Sequence, residues 1–223
     1  KRLLNFYGIN TKLISYHKHN EALRCEYLIN LLLEGKNISL ISDAGTPSIS
    51  DPGDYIIASA HKMNINVSPI PGASSLTAAI SVSGFASKDF KFVGFLPKKT
   101  NQKINILKKS KSYSLIFFES PNRILATLND LERIYTGEKK IMLAREITKV
   151  YEDINYDSIK NQLHNLLQNE KEKLKCEFVI VIPKNEENNN HYLEDEVEEF
   201  LKLLLENSIS YNSAIKITCK HFN

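Results

Sequence analysis

The sequence predicts an α/β protein of two domains followed by a short helical tail, and three observations lead to this prediction. Within residues 1–88, short apolar runs alternate with helical segments, and small chain-breaking residues separate them. From residue 89 the strand signals continue, but lysines crowd the segment between them. A polar, asparagine-rich linker then precedes an acidic amphipathic segment. We therefore place the domains at residues 1–88 and 89–184, with the boundary near Ser87, and the linker and tail at 185–223.

Helix and strand signals alternate in the first predicted domain. The predicted elements are a helix at 20–34, a strand at 38–41, a helix opening at Asp54, a strand at 65–70 and a helix at 76–82. Each strand ends at a loop of small residues, 42–47 and 71–75, that leads into the next helix. Ligands in open α/β sheets bind beyond the carboxyl ends of the strands. We therefore expect these two loops to meet and form the floor of a pocket.

The second predicted domain and the tail follow from apolar runs and periodicity. Strands are predicted at 90–96, 114–118, 140–143 and 178–182, with a helix at 124–134. Polar motifs at 119–123 and 144–149 follow the second and third of these strands. The linker at 183–190 leads to helices at 193–205 and from Asn212, a pattern typical of a helix-turn-helix tail.

Composition excludes several classes of protein. The apolar runs are too short to cross a bilayer, and no secretory signal follows Lys1. The three cysteines stand too far apart for a metal knuckle or a redox motif, which favours a reducing cytoplasm. The formal net charge of +3 permits a polyanionic partner without requiring one. Because the chain starts at Lys1 and stops within a helical motif, we expect that a piece is missing at each end.

The first small-residue loop excludes some chemistry by itself. It lacks the spaced glycines of a dinucleotide fingerprint and the Gly-Lys-Ser/Thr ending of a phosphate loop, so phosphoryl transfer is unsupported. It offers Asp43 beside small residues whose backbone allows close approach, which suits hydroxyls and a cationic group. Ordinary turns have a similar composition, so this loop alone does not establish a site.

An ordered set of motifs carries a family resemblance. The motifs are SYHKHNE at 15–21, SDAGTPSISDPG at 42–53, PGASSLTAA at 71–79, VGFLPKK at 93–99, FFESPNR at 117–123, TLNDL at 127–131 and LAREITKVYE at 143–152. Because these motifs occur in this order, the chain from Asn5 to about Ile182 resembles bacterial small-subunit ribosomal RNA methyltransferases that modify a cytidine ribose 2′-hydroxyl. These enzymes are a branch of the tetrapyrrole methylase superfamily.

The resemblance implies two α/β domains, usually in a homodimer, with S-adenosyl-L-methionine bound in the cleft between them. Carried over by motif, the residues that line the cofactor are Asp43, Ala44, Gly45, Ile49, Ser50, Ser74, Ser75, Phe118, Leu143 and Ala144. It also implies a substrate in 16S rRNA of the small ribosomal subunit. Two departures stand out: the family's first strand and its loop are missing here, and Cys176 replaces a usual glycine, where we expect no ligand contact.

Charged residues of the second domain are candidates for catalysis and RNA binding. Because a ribose hydroxyl is a weak acid, a nearby acceptor should help its proton leave, and Glu119 and Glu146 are the candidates. Lys98, Lys99, Lys103, Arg123 and Arg145 are candidate RNA contacts, and the arginines equally suit the two carboxylates. The alternatives are salt bridges within the domain and a solvated helix face.

Metal binding and two rival functions fit the sequence less well than this interpretation. His17 and His19 lack a third ligand, so we predict no metal site. A tetrapyrrole (precorrin-type) methyltransferase is the second interpretation, disfavoured by the lysine-rich stretch and the helical tail. A non-enzymatic RNA-binding module is the third, disfavoured because the tail begins with an acidic helix.

Overall fold

The computed structural model describes residues 2–85, 89–110, 112–168, 176–184 and 194–222. The chain divides into two compact units, Lys1–Pro183 and Lys184–Asn223. The boundary predicted near Ser87 and most of the predicted linker lie outside the described residues, so the division at residue 88 stays a prediction. Within the described part, no helix combines the length and apolar character needed to cross a membrane.

Among the described residues, the first unit opens with four helices and continues with five strands and three further helices, and the second unit is helical. In chain order they are α1 Arg2–Phe6, α2 Glu21–Leu33, α3 Asp54–Lys62, α4 Ser75–Val82, β1 Phe90–Phe95, α5 Thr100–Lys109, β2 Ser114–Glu119, α6 Ile124–Tyr135, β3 Lys140–Arg145, β4 Asp153–Ser158, α7 Ile159–Gln168, β5 Phe178–Ile182, α8 Glu194–Glu206 and α9 Tyr211–Phe222. The α/β class and the C-terminal helices are confirmed.

The five strands form one mixed sheet in the order β1-β2-β5-β3-β4. β1 and β2 run parallel, and every other neighbouring pair is antiparallel. β5 lies at the centre and all five of its residues are buried, which explains why its sequence is an unbroken apolar run.

Successive side chains of the sheet face opposite layers of the protein, as the pleat of a strand requires. On one face Leu115 and Phe117 of β2 pack in a cluster with Leu107 of α5 and Leu128 of α6. On the other face Ile116 packs in a second cluster with Ala79 of α4. The helix that follows the second small-residue loop is therefore anchored on the sheet.

The segment before α4 has its own core but no strand among its described residues. Cys25, Leu28 and Ile29 of α2 pack against Ile56 and Ala60 of α3. The strands predicted at 38–41 and 65–70 are wrong, because neither segment is hydrogen-bonded into a ladder. Their apolar residues Ile38, Leu40 and Ile65 instead pack against the two helices.

Three elements of the second predicted domain, α5, β4 and α7, were not predicted from the sequence. β4, at the edge of the sheet, has the sequence DINYDS. Its Asp and Asn residues are uncommon in strands, so the sequence does not predict one. α7 follows it directly and is equally polar, with Ile159, Gln162 and Leu166 buried. The lysine-rich stretch contains α5, so its periodicity was hidden by charge.

Candidate active site

The two small-residue loops meet, as predicted. Thr46 donates a hydrogen bond from Oγ1 to the carbonyl oxygen of Ala73 over 3.2 Å. Within the first loop, Ser42 donates from Oγ to the carbonyl oxygens of Ala44 and Gly45. Gly45 has a φ of 71°, a left-handed conformation that glycine adopts without steric cost. The first loop is thus tied internally and also to the second loop.

These loops form one side of a cleft with a volume of about 1080 Å³, and the ends of β2, β3 and β5 contribute to the other. This volume is at the upper end of the range typical of pockets that bind small molecules and cofactors. The predicted cofactor residues that line it are Asp43, Ala44, Gly45, Ile49, Ser50, Ser74, Ser75, Phe118 and Ala144.

Leu143 is the predicted cofactor residue that does not line the cleft. It precedes Ala144 on β3, so its side chain points to the opposite face of the sheet and joins the cluster beneath α6 and α7. There it borders a smaller, polar cavity of about 270 Å³ that is also lined by Arg145, Asp153 and Asn155. A side-chain contact from Leu143 to the cofactor is therefore not supported.

Phe95 lines the cleft and was missed by sequence analysis. It ends β1 directly after Gly94, whose φ is 64° and which lies where the pairing of β1 with β2 shifts register. The Phe95 ring contacts that of Phe118 edge-on, with centroids 5.7 Å apart. A glycine inside an apolar strand marks such a bulge, so Gly94 was the available signal.

The wall at the end of β3 contains further residues that were not predicted. Thr148 and Lys149 line the cleft, and so do Cys176 and Glu177 ahead of β5. Cys176 thus lies at the cleft, and the expectation that it contacts no ligand stays a prediction. Cys176 lies in the turn before β5, and no local pattern in the sequence indicates that this turn lies at the same cleft as the loop after β3.

Glu119 is a buried structural carboxylate. Its Oε1 accepts from the backbone N–H of Ser120 at 2.9 Å and lies 3.2 Å from Nε of Arg123. Its Oε2 accepts from Oγ1 of Thr127 at 2.7 Å. The residue is fully buried and does not line the cleft, so the structure argues against the predicted role as acceptor for a substrate proton.

Lys103 belongs to the same buried network. Only 5% of the residue is exposed, and its ammonium group forms an ion pair with Asp130 and contacts Oγ1 of Thr127. Because an interior carboxylate already neutralises this charge, the structure argues against the predicted RNA contact. Lys98 and Lys99, which lead into α5, are exposed.

The two arginine candidates also have partners within the protein. Arg123 donates from Nη2 to the carbonyl oxygens of Leu96, at 2.7 Å, and Pro97, in addition to its pair with Glu119. Arg145 donates from Nε to Oδ2 of Asp153 at 3.1 Å. The salt-bridge alternative therefore describes both arginines.

Glu146 is the candidate carboxylate that does line the cleft. Its Oε1 accepts a hydrogen bond of 2.7 Å from Nζ of Lys149. That bond lowers the pKa of Glu146 and raises the pKa of Lys149, so both groups are held in their charged forms. The cleft wall thus presents a carboxylate oxygen beside a fixed cation.

The histidines near the N-terminus do not extend this site. The rings of His17 and His19 lie 6.1 Å apart, centroid to centroid. Across the described ranges, no group of three or more His, Cys, Asp or Glu residues is arranged to hold a metal ion.

The family profile of the tetrapyrrole (corrin/porphyrin) methylases matches residues 8–161. The chain belongs to this family. The match takes in both small-residue loops and the end of β3, which line much of the cleft, and ends before the cleft residues 176–179.

Two curated relatives of this chain carry the name ribosomal RNA small subunit methyltransferase I. The protein from Halalkalibacterium halodurans is 40% identical over 189 residues, which cover 84% of this chain and 64% of the relative. The protein from Haemophilus influenzae is 39% identical over 207 residues, which cover 92% and 73%. The chain thus spans about two thirds of the length of these relatives.

The methylase fold is also found among solved structures. Uroporphyrin-III C-methyl transferase from Thermus thermophilus, solved in complex with S-adenosylhomocysteine, superposes with a TM-score of 0.51 at 13% identity. The match covers 79% of this chain and 80% of that one. At this identity the likeness concerns the fold alone.

Proposed function

We propose that this methylase transfers a methyl group from S-adenosyl-L-methionine to the 2′-hydroxyl of a cytidine ribose in 16S rRNA of the small ribosomal subunit. The observation that carries the proposal is the cleft, in which two loops of small residues face a wall that presents a carboxylate and a lysine. The names of the curated relatives support ribosomal RNA as the substrate. A homodimer in the bacterial cytoplasm is part of the proposal.

The residues of the cleft fit this cofactor. Asp43 and the hydroxyls of Ser74 and Ser75 suit its ammonium group and its ribose hydroxyls, and Ala44 and Gly45 leave room for close approach. When bound, the cofactor supplies a methyl group on a sulfonium, which is electrophilic without a metal. The protein's main task is then to align the hydroxyl and exclude water.

Glu146 is the proposed acceptor for the ribose hydroxyl. As the new O–C bond forms and the S–C bond breaks, the hydroxyl proton must leave, and an ionised carboxylate both orients the hydroxyl and receives that proton. Glu119 is too buried to serve. The lowered pKa keeps Glu146 ionised at neutral pH, which favours orientation by hydrogen bonding as its larger contribution.

Exposed lysines are the proposed contacts to the phosphates of the substrate. Lys98 and Lys99 precede α5, and Lys108 and Lys109 are exposed at its other end. Each phosphate neutralised on binding releases counterions, so affinity for RNA should fall steeply with salt.

Calorimetric titration and a methyl-transfer assay test the proposal together. S-adenosylmethionine is titrated into the chain, the Asp43→Ala variant and the Ser74→Ala/Ser75→Ala variant, with Glu198→Gln on α8 as a matched surface control. We expect binding by the chain and the control and loss in the other two. If the chain shows no binding, the non-enzymatic RNA-binding interpretation gains and the methyltransferase proposal fails.

Tritiated cofactor is then offered with isolated small subunits, naked 16S rRNA or a tetrapyrrole, and labelled RNA is digested to nucleosides. We expect label in 2′-O-methylcytidine. Label in the tetrapyrrole alone would overturn the RNA substrate and favour the rival function, a tetrapyrrole methyltransferase. Label on a base would overturn the ribose assignment.

A further inference from the structure

The loop between β3 and β4, residues 146–152, has an unusual backbone. Glu146 and Thr148 have φ values of 50° and 69°, in the left-handed region that residues with side chains rarely adopt. Such conformations persist where the surroundings enforce them, and they cluster at functional sites. The loop is therefore a candidate for a role beyond connection.

Hydrogen bonds hold this loop in one shape. The backbone N–H of Thr148 donates to Oε2 of Glu152 at 2.6 Å, and the N–H of Glu152 donates to the carbonyl oxygen of Lys149 at 3.1 Å. The N–H of Lys149 donates to the carbonyl oxygen of Glu146 at 2.9 Å, alongside the ion pair of their side chains. The backbone is thus fixed from Glu146 to Glu152.

This loop exposes one apolar and one aromatic side chain to solvent. Val150 is 91% exposed and Tyr151 is 74% exposed, whereas Glu146, Thr148 and Lys149 line the cleft. Tyr151 follows Lys149 by two residues, so their Cα atoms lie within about 7 Å of each other. The loop therefore carries an exposed ring two residues from the cleft-lining Lys149, whose side chain is 64% exposed.

We propose that Tyr151 is a stacking platform for a nucleobase of the RNA substrate, with Lys149 facing the adjoining phosphate. This inference rests on the proposed function and specifies how the substrate enters the cleft. A ribose hydroxyl reaches a recessed site only when its nucleotide is splayed out, and proteins hold splayed bases on aromatic side chains beside cations. Because the loop is already rigid, holding the base costs little ordering of the protein.

The charge beside the ring favours RNA over a second copy of the protein as its occupant. The Lys149 side chain is 64% exposed, and a protein interface covering Tyr151 would have to bury or displace this ammonium group. The phosphate of a nucleotide can instead accept from the ammonium N–H groups that are not bonded to Glu146, because this side chain, unlike that of Lys103, is exposed. An interface between copies remains the alternative that the experiment separates.

A fluorescence experiment tests the platform directly, because the chain contains no tryptophan. Tyr151→Trp places the only indole of the protein on the loop, and Tyr55→Trp places it on the exposed side of α3 as the control. A short single-stranded RNA containing a cytidine is added to each. We expect saturable quenching for Tyr151→Trp and none for Tyr55→Trp. Equal quenching in both would overturn the proposal.

Kinetics of the full chain on its RNA substrate supply the second readout. Tyr151→Ala should raise KM for RNA by roughly 10- to 100-fold, because one stacked base is lost, with kcat and cofactor affinity within about twofold. Tyr151→Phe should stay within about threefold of the original protein, because the ring face remains.

The outcomes also separate this inference from the function on which it rests. An unchanged KM in Tyr151→Ala, in a protein that methylates RNA, overturns the platform and leaves the function standing. A Tyr151→Ala variant that keeps its KM but sediments as a smaller species assigns the ring to an interface between copies. If the original protein neither binds the cofactor nor methylates RNA, both proposals fall.

Discussion

Thr46 Oγ1 and the carbonyl oxygen of Ala73 lie 3.2 Å apart and join two loops that are 27 residues apart in the chain. Each loop alone has the composition of an ordinary turn. Joined, they present Asp43 and Ser74 to the same cleft, so the hydrogen bond fixes the relative position of groups that we assign to one cofactor.

Removing this hydrogen bond should weaken cofactor binding without unfolding the protein. Thr46→Val keeps the shape of the side chain and deletes the donor, so affinity for S-adenosylmethionine should fall roughly 2- to 10-fold, as expected for the loss of one exposed hydrogen bond. Thr46→Ser keeps the hydroxyl and should bind normally. Calorimetric titration measures both, and equal loss in the two variants would show that the methyl group matters instead.

Gly94 should be intolerant of a side chain for two separable reasons. Its φ of 64° is strained for alanine, and a Cβ there would lie 3.1 Å from Oγ of Ser50, which lines the cleft. Gly94→Ala should therefore destabilise the fold by about 1–2 kcal/mol and weaken cofactor binding.

Gly35 is the matched control for this change. Its φ is 82° but a Cβ there would meet nothing within 4 Å, so Gly35→Ala should lower stability and leave cofactor affinity unchanged. Urea denaturation and calorimetry report the two effects. Unchanged affinity in Gly94→Ala would mean that Ser50 yields without disturbing the site.

The lysines of the α5 region should divide into structural and RNA-binding groups. Lys103→Met leaves the carboxylate of Asp130 buried without its ion pair and should cost about 3–5 kcal/mol in urea denaturation. Lys99→Met removes an exposed charge and should change stability by less than about 0.5 kcal/mol while weakening RNA binding. The reverse pattern would show that Lys103 is accessible in solution.

Asp157 should contribute to stability in a pH-dependent manner. Its Oδ1 accepts from Nδ2 of Asn161 at 2.9 Å and from the N–H of Ser158 at 2.7 Å, and these bonds lower its pKa from the ordinary 3.8. The stabilisation is therefore present above pH 3.8 and is lost as the pH falls through the lower, folded-state value.

Asp157→Asn should lower the free energy of unfolding near neutral pH by up to about 1 kcal/mol, because the two hydrogen bonds then reach a neutral oxygen, and the difference should shrink in acid. Urea denaturation across this pH range measures the difference. Asn161→Ala should raise the pKa of Asp157 towards 3.8, which a carboxyl NMR titration detects; an unmoved pKa would contradict the assigned cause.

Residues whose role is set by local pattern were predicted well. The strand around Ile180 and the helix around Leu128 follow from apolar runs and helical spacing, and the loops with Asp43 and Ser74 follow from small residues after apolar runs. The failures at 38–41 and 65–70 have a physical cause, because an apolar run does not disclose whether it pairs with a strand or packs on a helix.

Charged residues were the harder part, since their roles depend on distant partners. Lys103 lies in a run of lysines, and its partner Asp130 is on another helix. One local signal existed: Lys103 precedes Leu107 by four residues, which places both on the buried face of α5. No such signal distinguishes Glu119, which is buried, from Glu146, which lines the cleft.

The packing of α4 has a consequence for how the site is lost. Ser75 opens this helix in the cleft, and Ala79, one turn later, is completely buried against Ile116 and Val181 of the sheet. A destabilising change at Val181, which does not line the cleft, would therefore be transmitted through α4 to the second small-residue loop. The second small-residue loop and the centre of the sheet should therefore unfold together as one cooperative unit. This part of the cleft cannot unfold locally while the sheet stays folded.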